Sequence, residues 1–192
     1  MIITTDAKID DIEGVVKLLN KFHVNSIEPS DKKDGFVTTM ITREQLVRLI
    51  EHENGLTVAK HNDEVIGFVM AASWHFWEEW PFFKHMIGLL HKYEIDRDVL
   101  SKDNSYQYGP ICIDKQWRGT DVLNLLFSHS LHNMEKRFKY LVTFVNKING
   151  RSHKAHRDKL MLTTLDEFEF NNNYYYFMTC RTQNQNVNMR RD

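Results

Sequence analysis

The stretch Ile111-Cys112-Ile113-Asp114-Lys115-Gln116-Trp117-Arg118-Gly119-Thr120-Asp121 runs from an apolar, β-branched segment through a short basic loop into an amphipathic one. A strand that feeds a helix in this way can hold an anion. The first N–H groups of the helix lack partners, the helix dipole is positive there, and Arg118 adds a local charge. The chemistry open to such a junction is recognition of a phosphate or pyrophosphate. A turn with one Gly and one Arg also serves purely structural ends in α/β domains, so both readings stand.

The flanking sequence predicts the elements that would position this junction. Met1 to Thr5 reads as a strand, and Ile12, Val15, Val16, Leu19 and Phe22 recur at helical spacing after Asp6 or Asp10. Val24 to Thr39 is polar and reads as a loop. Thr42-Arg43-Glu44-Gln45 has the form of a capping box, opening a helix with Leu46, Leu49 and Ile50 on one stripe. Leu56 to Lys60 and Glu64 to Ala72 flank His61-Asn62-Asp63 as a hairpin would. Pro110 inside the Tyr106 to Asp114 strand predicts a break in its ladder. Beyond it come a helix from Val122 to Met134, a buried strand at Leu141 to Val145, and a basic helix at Asn149 to Lys159. Two strands, Leu160 to Phe170 and Tyr174 to Thr182, are joined by Asn171-Asn172-Asn173.

Ser73 to Asn104 interrupts this pattern. Trp74, Phe76, Trp77, Trp80, Phe82 and Phe83 crowd its start, followed by Met86, Leu89 and Leu90 at helical spacing. The expectation is an inserted helix, acting as a lid or substrate wall or simply covering one edge of the core.

With 25 Lys and Arg against 26 Asp and Glu, the formal net charge is -1. No global basic field is available for nucleic acid or a membrane surface, so any anion site is local. No apolar run approaches the roughly 20 residues of a membrane span, and the N-terminus lacks a signal-peptide pattern, so the expected location is cytoplasmic. Cys112 and Cys180 have no C-x-x-C partner and are expected as reduced strand residues, with no metal site. The organisation expected of the 192 residues is a single domain over 1–182 with an insertion at 73–104, then a polar tail over 183–192.

In order, these segments resemble the GNAT superfamily of acetyl-CoA-dependent N-acetyltransferases. Ile111 to Gly119 is similar to that family's central strand and the start of its Q/R-x-x-G-x-G/A pyrophosphate loop. Val142 to Val145, Asn149-Gly150-Arg151-Ser152, Leu160 to Phe170 and Tyr174 to Met178 resemble its later strands and fourth helix. The helix at Ile9 to Phe22 and the strand Val65 to Val69 resemble its N-terminal half. The implied fold is an α/β single domain, a mixed and mostly antiparallel sheet with helices on both faces and the aromatic helical insertion. The loop departs from the pattern, with Asp121 where the fourth position takes Gly and Leu123 where the sixth takes Gly or Ala. Asp121 either brings a carboxylate toward the anion or caps the helix with its side chain.

The resemblance implies acetyl transfer from acetyl-CoA to a primary amine of a small molecule or peptide. Pyrophosphate is placed at Arg118, Gly119, Thr120, Asp121 and Val122. Ile111, Cys112 and Ile113 are laid along the cofactor through their backbone, with Asn149 and Ser152 on the fourth helix. His156 falls where family members often carry a Tyr that protonates the leaving thiolate. Tyr108 and His75 are candidate bases by position, and Glu78 and Glu79 a candidate acidic wall. A homodimer through the aromatic segment or the Tyr174-Tyr175-Tyr176 edge is a further expectation. The rival reading is a non-catalytic module of the same fold that has lost cofactor and binds a protein or peptide through the Trp74 to Phe83 surface.

Overall fold

Phe68, Met70 and Ala72 point to one side of their strand and Val69 and Ala71 to the other, and all five are buried. Such a strand must be covered on both faces. The computed structural model, which describes residues 1–183, covers it with helices on each side. A seven-stranded sheet is formed by β1 (Ile2–Asp6), β2 (Leu56–His61), β3 (Glu64–Ser73), β6 (Ser105–Ile113), β7 (Tyr140–Asn146), β8 (Thr163–Phe170) and β9 (Asn173–Arg181), with β4 (Glu94–Ile95) and β5 (Asp98–Val99) forming a separate short hairpin. The spatial order is β1-β2-β3-β6-β7-β9-β8. Among the described residues every neighbouring pair is antiparallel except β6 and β7.

On one face α1 (Ile12–Phe22), α2 (Arg43–Glu51), α3 (Trp74–Trp77) and α4 (Pro81–Leu90) bury Ile12, Val15, Leu46, Leu49, Trp74, Trp77, Phe83 and Met86 against Val58, Phe68, Met70, Val142 and Phe177. On the other, α5 (Val122–Met134) buries Val122, Leu126, Phe127, Leu131 and Met134 against Ile66, Val69, Tyr106, Tyr108 and Leu141, and α6 (Gly150–Asp158) lies beside it. The mixed sheet with helices on both faces is as expected. So are the capping box, in which the Thr42 hydroxyl accepts from the Gln45 N–H at 3.2 Å, and the two Asn turns, with Asn62 at φ 50° and Asn171 and Asn172 at φ 49° and 59°. Of the expected tail, residues 184–192 lie outside the described part.

The insertion is two short helices rather than one. Pro81 holds Trp80 in an extended conformation (φ -97°, ψ 132°), which ends one helix and opens the next. The aromatic segment is not a surface either. Trp74 and Trp77 are fully buried, Phe83 nearly so, and the Trp74 indole N–H donates to the Ser105 hydroxyl at 3.0 Å. This removes the binding surface on which the non-catalytic rival depended, because a row of aromatics beside an uncovered sheet face gains most by burying itself.

Strand β6 is irregular in two ways. Its Gly109–Pro110 peptide is cis, and its register with β3 shifts between Val69 and Ala71, as the proline predicts. It also pairs with β7 only through Ser105–Tyr140, Tyr106–Leu141 and Gln107–Val142, after which the two parallel strands part.

The α2 end is locked to the sheet by Gly55, whose carbonyl accepts from the Ala71 N–H at 2.7 Å. A Cβ at Gly55 would stand 1.9 Å from the Ala71 carbonyl oxygen. Because the obstacle is backbone, Gly55→Ala is expected to cost more than about 2 kcal/mol in urea denaturation. Unchanged stability would show that this junction can relax.

Candidate active site

Where β6 and β7 part, a cavity of about 340 Å³ opens between them. Its lining comes from both sheet faces: Phe22, Val37, Cys112, Phe144 and Tyr175 belong to the α1–α4 face, and Tyr108, Ile111, Ile113, Leu123 and Val145 to the α5–α6 face. The split leaves no orphan at the Tyr108 carbonyl. It accepts from the Thr143 hydroxyl at 2.6 Å and from the Gln107 side-chain amide at 2.7 Å, both residues being buried.

The junction after β6 is held from several directions. The Asp114 carboxylate takes Lys21 Nζ from α1 at 2.6 Å and accepts from the Gln116 N–H at 3.4 Å, opening a 3-10 turn over Lys115–Trp117. Partial burial works to raise its pKa, but the Lys21 charge and hydrogen bond, the Gln116 N–H and Arg118 outweigh it and hold the carboxyl below its ordinary range. Arg118 donates Nε–H to the Ile113 carbonyl at 2.8 Å, and its guanidinium lies 4.6 Å from the Phe22 ring centre. Gly119 takes φ +88°, a conformation that favours glycine.

Arg118, Gly119 and Leu123 line the cavity, whereas Thr120, Asp121 and Val122 do not. Asp121 occupies the N-cap position of α5, but its side chain accepts no capping hydrogen bond. The expected side-chain cap is therefore corrected: the Thr120 hydroxyl accepts weakly from the Val122 N–H at 3.4 Å and donates to the Trp117 carbonyl at 2.7 Å. Asp121 is exposed and outside the lining, so its carboxylate is not turned into the cavity.

Across the gap, Asn149 caps α6 by accepting from the Ser152 N–H at 3.1 Å. One turn on, His156 Nδ1 lies 2.8 Å from the Ser152 carbonyl oxygen. A carbonyl can only accept, so Nδ1 carries the hydrogen and Nε2 the lone pair. His156 is buried at 4% exposure, and desolvation lowers its pKa despite the favourable bond to Ser152. The ring is a neutral imidazole at neutral pH.

Ile111, Cys112, Ile113, Arg118, Gly119, Asn149, Ser152, Tyr108 and His156 thus come together in one lining. Burial pushes the Cys112 thiol up to about 12, which leaves it an unreactive strand residue. The Tyr108 hydroxyl is buried with no hydrogen-bond partner among the described residues, and desolvation raises its pKa strongly. It is held as a neutral phenol, which corrects its assignment as a ready proton acceptor. His75 is not brought to the cavity. Ser73 caps α3 so that the His75 side chain, 84% exposed, turns to solvent beside Glu78 at 2.9 Å. Glu78 and Glu79 form no acidic wall, since Glu78 pairs with His75 and Lys102 and Glu79 with Arg48 and Gln45, all away from the lining.

Sequence reading missed the wall made by Gly35 to Thr39, which reads as a polar loop, and the part taken in it by the Phe144 and Tyr175 side chains, which read only as strand residues. It also read Arg151, Lys154 and Lys159 only as part of a basic helix; they are exposed, and all three line the cavity.

No protein-family model matches the sequence, and no curated protein matches it. Solved structures do. An N-acetyltransferase from Staphylococcus aureus Mu50 superposes with a TM-score of 0.63 at 16% identity, covering 95% of this chain and 99% of that one. A GNAT-family acetyltransferase from Streptococcus pneumoniae gives 0.64 at 15%, covering 94% and 99%. The yncA protein of Salmonella typhimurium, solved with its cofactor acetyl-CoA, gives 0.61 at 11%, covering 97% and 96%. The chain therefore has the fold of the GNAT N-acetyltransferases.

A His whose folded pKa lies below its unfolded value binds less proton folded than unfolded between the two. Stability is then full above pH about 6.5, the ordinary value, and falls as pH drops below it. Relative to His156→Gln, the native protein is expected to lose stability more steeply below that pH, by up to about 1.4 kcal/mol per pH unit. Parallel pH–stability curves from urea titrations would show that His156 is not buried neutral.

Proposed function

We propose that this protein transfers an acetyl group from acetyl-CoA to a primary amine. The observation that carries the reading is the gap between β6 and β7, which opens beside the Arg118 junction and lets two substrates meet inside the sheet. The residues present suit the donor. Arg118, Arg151, Lys154 and Lys159 bring positive charge to the lining, and the first-turn amides of α5, capped only weakly by Thr120, suit pyrophosphate. Ile111 to Ile113, laddered to β3 but no longer to β7, offer backbone groups on the β7 side to an extended amide arm. Acetyl-CoA supplies the thioester whose acyl carbon is attacked.

As the C–N bond forms and the C–S bond breaks, the amine must lose a proton and the departing thiolate must gain one. The lone pair on His156 Nε2 suits the first task, and the imidazolium so formed suits the second. One residue then balances the protons and ends neutral, a role wider than the thiolate acid expected from its position. Ser152 keeps the ring in the tautomer this requires.

Calorimetric titration with acetyl-CoA is expected to give micromolar binding, weakened about tenfold (~1.4 kcal/mol) by Arg118→Ala. Thiol release with an amine panel should follow, with His156→Gln lowering kcat about 10²- to 10⁴-fold. In the native protein kcat should rise with pH through a pKa below 6.5, and this limb should vanish in His156→Gln. No binding at millimolar acetyl-CoA would overturn the reading.

A further inference from the structure

The cavity is electrically lopsided. Its cations, Arg118, Arg151, Lys154 and Lys159, come from the loop after β6 and from α6 and the residue that follows it. Among the described residues its one lining carboxylate, Asp158, sits at the same end and is bonded to the Arg157 guanidinium at 2.6 Å. The wall contributed by the 35–39 segment and by the far ends of β7 and β9 carries no charge: Phe36, Val37, Thr38, Thr39, Phe144 and Tyr175.

That wall is built for an apolar body. The Phe144 and Tyr175 rings meet edge to face at 5.8 Å, and Phe82 of α4 supports both from behind, at 4.4 Å and 5.0 Å. Phe36 lines the cavity yet belongs to neither hydrophobic cluster of the sheet, so its half-buried ring is not there to complete the core. A half-buried phenyl group without a core role marks a surface waiting for an apolar contact.

Resting on the acetyltransferase reading, we infer that the acceptor is a monoamine carried on an uncharged, apolar or aromatic body, and that Phe36 and Phe144 select it. The amine that reacts enters the chemistry as a neutral nucleophile and leaves as a neutral amide, so it strands no charge in the wall. A second ammonium on the same molecule would. Burying an ammonium without a partner is costly, and among the described residues neither the wall nor Asp158, already bonded to Arg157, offers it a carboxylate. Phe36 and Phe144 are therefore specificity residues, acting on which amine is accepted.

The test compares hexylamine and 2-phenylethylamine with 1,6-diaminohexane, which has the length of hexylamine and one further ammonium. Acetyl-CoA binding is measured first by calorimetry, then thiol release with each amine. Both monoamines are expected to exceed the diamine in kcat/KM by at least about tenfold. Phe36→Asp, which places a carboxylate in the wall without emptying the core, should move the hexylamine-to-diaminohexane ratio at least threefold toward the diamine. Acetyl-CoA binding with equal or better use of the diamine overturns this inference alone, as does binding with no turnover of either monoamine. Absence of acetyl-CoA binding overturns it together with the transfer reading on which it rests.

Discussion

Three residue pairs tie β6 to β7, and the ladder stops at Gln107 although both strands continue. A sheet interrupted in its interior ordinarily leaves backbone groups dry and unpaired, at a cost of about 1–3 kcal/mol each. Here the first carbonyl beyond the ladder, that of Tyr108, is satisfied by two buried side chains, Thr143 and Gln107. The interruption is thereby made tolerable, and it supplies a cavity that reaches both faces of an otherwise closed sheet. The start of α5 and the polar face of α6 are useful because they border this opening. β9, which pairs with β7 along its whole length, keeps the far wall rigid where β6 no longer can.

The charge of the chain is nearly balanced, yet the cavity is not. The imbalance is achieved by occupying carboxylates elsewhere: Glu79 with Arg48, Glu53 with Arg137, Asp98 with Lys139 and Glu167 with Lys147. The exposed pairs among these contribute little to stability individually, whereas Glu53 is largely buried and also accepts from Ser73. Their effect on the site is to keep acidic groups at a distance. Asp114 and Asp158 are the exceptions: Lys21 neutralises Asp114 while tethering α1 to the loop, and Arg157 holds Asp158.

The order of elements, the capping box, the Asn turns and the break at Pro110 were legible in the sequence because each follows from local rules. Of the thirteen residues that the resemblance singled out, nine line the cavity. What was not legible depends on contacts between distant segments. No local pattern distinguishes Trp74 and Trp77 as core residues from the same residues as a docking surface; the uncovered sheet face decides it. Whether His75 or His156 meets the cavity depends on where the caps Ser73 and Asn149 point their helices. Asp121 reads as a helix cap by type and position, yet Thr120 does that work in its place. The segment from Gly35 to Thr39 carries no periodicity, so only its fold against α6 reveals it as a wall.

That segment lies outside the sheet, joined to the end of α1 by the bridge between His23 and Val37, and Gly35 passes close to the Asn149 side chain. Most of its side chains contribute nothing to the two cores, Val37 excepted. Its residues can therefore change with little penalty to folding, whereas the lining residues contributed by β6, α5 and α6 are fixed by strand register, caps and the core. Evolution is left with separate controls, one nearly frozen and one free to drift. The shape and polarity of this wall can change through single substitutions at positions such as Phe36, Thr38 and Thr39, without a compensating change anywhere in the sheet.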